Sequence, residues 1–266
     1  MTRRWILLRG LMRERRHWEG FPDRFRQHFP QDELLLADLP GFGAEHGEPG
    51  PLSIVGITER LRLRWHPWLR QGPVHLLALS LGGMVAIDWA SRHPRQVAGL
   101  VLLNTSLAGL TPFYQRLRPR AYWPLLTWLL WQRDPQAQEA TILRLTSERF
   151  ATDPDLLARW AGYARELPAS RRSTLCQLLA ALRYRAPAQP PPVPTLVLNG
   201  LADRLVSPRC SQALAEVWRL PLRRHPDAGH DLPLDEPEWV CRQIADWLAE
   251  EEPNGGNMSY NPVTSC

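Results

Sequence analysis

The chain has 266 residues, 44% hydrophobic and 22% charged, enough for one large or two modest domains around a core that excludes water. Its 32 basic residues are all arginine, which excludes Schiff-base, pyridoxal-anchoring, phosphate-loop-lysine and Ser-Lys chemistry, because each needs an ammonium group that arginine cannot supply or deprotonate. A net charge of +5 permits an acidic partner, a nucleic acid or a membrane surface without requiring one, while Cys176, Cys210, Cys241 and Cys266 are spaced too widely for a zinc site or disulfide framework and suit a reducing cytoplasm.

Short apolar runs flanked by turn residues alternate with longer amphipathic stretches, the pattern of a parallel sheet covered by helices. Strands are expected at residues 5–8, 34–37, 74–79, 97–103, 195–198 and 222–225, and helices at 54–69, 81–92, 211–218 and 237–249. The run 5–8 is too short for the apolar part of a signal peptide, and the longest apolar stretch, 122–131, covers half a bilayer, so no membrane span is expected. From 107 to 192 the alternation stops. Helical segments rich in Trp, Tyr and Arg fill that interval and end in a proline string at 190–194, which reads as a helical insertion between strands of a core formed by 1–106 and 193–250. Residues 251–266 lack apolar periodicity and read as a disordered tail.

One junction carries chemistry. Ser80 lies between the strand 74–79 and the helix that follows, with Ala78 two residues before and Gly82 two after. Such a sharp turn strains the serine backbone and lifts its hydroxyl over the carboxyl end of the strand, beside a helix N-terminus, where only small neighbours fit. A serine at such a junction is otherwise an ordinary helix N-cap. A hydroxyl nucleophile needs a base held by a carboxylate. Asp203 follows the strand 195–198 and His230 the strand 222–225, with His225 and Asp231 as alternatives for the same roles. Backbone donors for an oxyanion are expected at Leu81 and at Leu11, where Gly10 lets the chain turn.

Through Arg9-Gly10-Leu11, Asp38-Leu39-Pro40-Gly41-Phe42-Gly43, Ser80-Leu81-Gly82-Gly83, Asn199-Gly200-Leu201-Ala202-Asp203 and Ala228-Gly229-His230, residues 3–250 resemble the α/β-hydrolases, most nearly their small capped, carboxylesterase-like branch. The resemblance implies an α/β fold with a mostly parallel central sheet, Ser80 as nucleophile, His230 as base, Asp203 as orienting acid, a helical cap at 107–192, and no cofactor or metal. The strand 5–8 stands where the family's third strand would be, so a trimmed sheet of about six strands is expected. Arg9 replaces the family's usual histidine before the oxyanion glycine. A serine where the dehalogenase version has aspartate excludes that version.

The implied reaction is cleavage of a carboxylic ester or thioester through an acyl-enzyme. The menaquinone-pathway synthase of this fold carries arginine directly after Ser-Leu-Gly-Gly, where this chain has Met84, so pyruvate elimination is the lesser reading. Arg13, Arg15 and Arg16 would hold its carboxylate, or else form a solvated basic loop. From another class stands a non-catalytic ligand receptor, against which the complete Ser, Asp and His set speaks.

Residues 107–192 hold 12 arginines against 6 acids, a net of +6, and the remainder nets −1. Pimeloyl-carrier-protein methyl ester esterase, a small capped member, docks an acidic acyl carrier protein on cap arginines, so the resemblance points to an acyl group delivered by such an acidic partner or bearing an anionic head; a solvated helical face is the commoner source of such charge. The aromatics of this stretch are expected to pack the cap, with some lining an acyl pocket, and Met84 and Trp123 are the candidate substrate contacts. Insertion of 122–131 into lipid is the lesser reading. Nothing points to a nucleotide or nucleic acid.

Overall fold

Strands rich in Leu, Val and Ile, without polar alternation, suit a sheet buried on both faces. The computed structural model describes residues 2–251. In chain order it has β1 (Arg4–Leu8), α1 (Phe21–His28), β2 (Glu33–Ala37), α2 (Ile54–Arg64), α3 (His66–Leu69), β3 (Val74–Leu79), α4 (Leu81–Arg92) and β4 (Val97–Leu103). There follow α5 (Phe113–Arg116), α6 (Pro119–Leu130), α7 (Pro135–Thr146), α8 (Pro154–Glu166) and α9 (Arg171–Arg183). The chain then returns through β5 (Thr195–Gly200), α10 (Arg209–Trp218), β6 (Leu222–His225), α11 (Leu232–Asp235) and α12 (Pro237–Glu251).

The six strands form one sheet in the order β2-β1-β3-β4-β5-β6, parallel throughout. Each expected strand is present. On one face α2, α4 and α10 bury Ile57, Leu61, Val85 and Leu214; on the other α1 and α12 bury Phe21, Phe25, Ile244 and Trp247. The strand order reverses between β1 and β3, and the loops at their carboxyl ends open a crevice of the kind where such sheets bind ligands. The expected helix at 54–69 is broken. Proline has no N–H and crowds the preceding turn, so α2 ends at Arg64 and the chain restarts as α3 with Pro67 in its first turn.

Between β4 and β5 lie five helices and no named strand. Glu251 closes α12, and the rest of the expected tail lies outside the described residues. Cys176, Cys210 and Cys241 are buried and free, with burial pushing the thiols of the last two up to about 11 and about 12. Among the described residues no helix is long and apolar enough to cross a membrane, and no group of His, Cys, Asp and Glu could hold a metal ion.

His75 gives the sheet a pH dependence. On β3 it stacks against Trp5 with ring centroids 4.7 Å apart, and its buried Nδ1 has no partner among the described residues. Burial, reinforced by nearby Arg3, lowers its pKa from 6.5 to about 4. The unfolded chain therefore binds more protons between those values, and stability falls as pH drops through the window, by on the order of 3 kcal/mol once His75 is charged. Buried His17 shifts the same way. Urea midpoints should be lower near pH 5 than near pH 7, and His75→Gln should shrink that difference; an undiminished difference would clear His75 of the effect.

Candidate active site

At the end of β3 the chain reverses sharply, and Ser80 adopts φ 56° and ψ −115°. A non-glycine residue in this region carries roughly 1–3 kcal/mol of strain, so its neighbours must hold it there. The Ser80 N–H donates to Leu103 O at 2.8 Å, and Thr105 Oγ1 donates to Ser80 O at 2.8 Å. A Cβ on Gly82 would stand 2.5 Å from Leu8 O and 2.7 Å from Arg9 O, so only glycine lets α4 seat against the end of β1.

Asp203 and His230 meet as expected, with His230 Nδ1 2.7 Å from Asp203 Oδ2. The other carboxylate oxygen accepts N–H bonds from Leu205 and Val206, each at 2.8 Å. Asp203 is fully buried, and these three bonds leave one geometry open to it. Of the alternatives, His225 accepts instead from the N–H groups of Asp227 and Ala228, and Asp231 is engaged by Arg9.

Ser80 and His230 line one cavity of about 1070 Å³, measured with its open mouth. Leu11, Leu81 and Met84 line it too, and apolar side chains from α5, α6, α7 and α9 make up the far wall. Leu81 begins α4, where backbone N–H groups lack intrahelical acceptors, and neither its N–H nor that of Leu11 has a partner among the described residues. Gly10 gives a close approach to Ser80 rather than the turn expected of it. Its φ is not positive; a Cβ there would lie 3.2 Å from Ser80 Cβ, and the left-handed residue of this loop is Met12, at φ 58°. Trp123 is not among the residues lining the cavity and is 67% exposed.

Three groups around the site are held by partners that the sequence did not pair with them. Arg9 forms two hydrogen bonds with Asp231, Nη1 to Oδ1 at 3.0 Å and Nη2 to Oδ2 at 2.5 Å, and its guanidinium lies 4.8 Å over the Trp18 ring. The pair joins the loop after β1 to the residue following His230. Asn104, just past β4, donates from Nδ2 to Gly229 O and His230 O, at 3.0 and 2.7 Å, and its Oδ1 accepts from Asn199 Nδ2 and Gly200 N. Asp235 accepts from Gly229 N at 2.7 Å and from Ser147 Oγ at 2.5 Å, tying the histidine loop to the end of α7. Departure from the family's histidine did mark Arg9 as unusual, but its partner stands 222 residues away.

The basic loop is not the solvated run expected as its commoner reading. Arg13 is buried against Glu139 at 2.5 Å, Arg16 bonds Glu14 and Glu166, and only Arg15 keeps a half-exposed side chain. Met12 and Arg13 also form the partition from a second cavity lined by His17, Trp128 and Arg133. At the junction of α5 and α6, the Arg118 N–H donates to Leu205 O at 2.9 Å and its Nη1 to Asp203 O at 2.7 Å, while the Ser207 N–H donates to Gln115 O at 2.8 Å.

Comparison with known proteins agrees with this architecture. The chain is 26% identical to the pimeloyl-[acyl-carrier protein] methyl ester esterase of Hamiltonella defensa over 226 residues, 80% of either chain. It is 25% identical to the biotin biosynthesis bifunctional protein BioHC of Teredinibacter turnerae, over 93% of this chain but only 45% of that protein's length. Among solved structures, a thermophilic esterase from Thermogutta terrifontis superposes with a TM-score of 0.73 at 23% identity, covering 94% of this chain and 90% of that one. A model of the alpha/beta hydrolase family matches residues 5–243, and the chain, with its parallel sheet and the serine junction after β3, belongs to that family.

Proposed function

We propose that the protein is a serine hydrolase that cleaves carboxylic esters, thioesters included, through an acyl-enzyme. The observation that carries this reading is a strained Ser80 in the same cavity as a histidine whose Nδ1 lies 2.7 Å from a buried carboxylate. Asp203 fixes the tautomer, leaving Nε2 of His230 as the base. Ser80 Oγ attacks the acyl carbonyl as its proton passes to Nε2, and the N–H groups of Leu81 and Leu11 stabilise the oxyanion. The proton then returns to the leaving alkoxide or thiolate, and water, deprotonated by the same histidine, releases the acid. Helices α5 to α9 act as the cap, and its apolar wall takes the acyl chain, with Met84 among the contacts. A carrier-bound ester, like that in the name of the relative above, is one candidate substrate. Three free, buried thiols suit work in a reducing cytoplasm.

Burial of Arg13 against Glu139 removes one of the cations that the lyase reading would need for a substrate carboxylate. A fluorophosphonate probe separates hydrolase from receptor. Stoichiometric labelling of Ser80, abolished in Ser80→Ala and strongly reduced in His230→Ala, is the expected result; a wild-type protein that binds ligand but takes no label would reverse the assignment.

A further inference from the structure

A helix packed on one side should show solvent its polar face, and α6 does not. Its Leu125 and Trp128 line the two cavities, yet Trp123, Leu126 and Leu130 are 67%, 41% and 45% exposed, and Trp131 just beyond is 63% exposed. Spacing of three, seven and eight residues from Trp123 puts them on one helical face, and the rings of Trp123 and Trp131 stand 6.4 Å apart. Neighbouring α9 repeats the pattern, with Leu175, Leu179 and Leu182 46%, 36% and 62% exposed. Arg171 Nη2 donates to Leu130 O at 3.4 Å, so the start of α9 lies by the end of α6. Apolar surface of this extent on a chain with a full core marks a docking site.

Charge identifies what docks. No acidic residue occurs from 89 to 133, and none on α9. Arg120 and Arg133 flank the apolar face of α6, and Arg171, Arg172 and Arg183 are exposed on α9. A second copy of the chain would bring these cations against their own kind, and an acidic protein would answer the arginines while leaving the tryptophans unmatched. An anionic bilayer answers both, because indole rings settle at the headgroup level and arginines pair with lipid phosphates. Phe113 and Leu182, 71% and 62% exposed, also line the Ser80 cavity, so its mouth opens beside this surface.

We propose that α6 and Trp131 form an interfacial anchor that seats the protein on an anionic phospholipid surface, from which an acyl ester enters the cavity between Phe113 and Leu182. Docking stands on exposure and charge alone; delivery of the ester rests on the hydrolase reading above.

Flotation with phosphatidylcholine vesicles, pure or with about 30 mol% phosphatidylglycerol, tests it in about 0.1 M salt. The wild type should partition at least roughly tenfold better onto the anionic vesicles, and Trp123→Ser/Trp131→Ser and Arg120→Gln/Arg133→Gln should each lose most of that gain. Both variants should keep wild-type turnover of a short, soluble p-nitrophenyl ester. No binding to anionic vesicles, or binding untouched by loss of both tryptophans, would overturn the proposal. So would a wild-type dimer, seen by light scattering, that the tryptophan changes dissolve, or an acidic carrier protein that binds where vesicles do not. Vesicle binding without ester turnover would sustain the anchor and sink the hydrolase reading; turnover without vesicle binding would do the reverse.

Discussion

On the hydrolase reading proposed above, Ser80→Ala should lower hydrolysis of a short p-nitrophenyl ester by at least about a thousandfold while leaving the fold intact, because it removes the proposed nucleophile and leaves only the proposed oxyanion donors and the pocket. Ser80→Gly should be equally inactive and more stable. Glycine adopts φ 56° and ψ −115° freely, so relief of strain worth roughly 1–3 kcal/mol outweighs the extra entropy of the unfolded chain, leaving a net gain of about 1 kcal/mol over Ser80→Ala. Turnover within tenfold of wild type in either variant would defeat the nucleophile assignment. A glycine variant no more stable than the alanine variant in urea would show that the junction is not strained.

Arg9→Ala should be the most destabilising single change around the site, by about 3–5 kcal/mol, because it strands Asp231 as an unpaired charge in an interior that cannot solvate it. Arg9 and Asp231 are 1% and 2% exposed. Asp231→Ala strands Arg9 and should cost a similar amount. Arg9→Met with Asp231→Leu removes both charges and should recover most of the loss, since two apolar residues of similar volume avoid the desolvation that an ion pair incurs. Urea denaturation of the four proteins measures the cycle. Additive losses in the double variant would mean that the two side chains contribute independently. Even if stable, that variant should turn over ester more slowly, because the pair is the link between the loop bearing Leu11 and the loop bearing His230.

The contrast between these residues and Ser80 shows where legibility in the sequence stops. The strands were readable because burial on both faces forces unbroken apolar runs such as Val97–Leu103, a signal carried by each segment alone. That Ser80, Asp203 and His230 would each stand at the end of its own strand was readable because each follows an apolar run in the sequence. Arg9 with Asp231, and Asn104 with the carbonyls of Gly229 and His230, depend on segments that only the closed sheet brings together. The misplacement of Trp123 has another cause. Helical spacing shows that α6 has an apolar face but not which way that face points, and α6 is apolar both toward the cavities and toward solvent. Likewise Pro67 ended α2 three residues before its own position, a boundary that periodicity alone ran straight through.

The bonds from Gln115 and Arg118 to the segment 203–207 have a mechanical consequence. They fasten the junction of α5 and α6 to the very backbone that carries Asp203. Movement hinged there would drag Asp203 from His230, whereas entry past Phe113 and Leu182, which line the cavity and stand exposed, would not. A ligand that prised the fastened edge open would part Asp203 from His230 as it entered, and one that came in beside Phe113 and Leu182 would leave that pair intact.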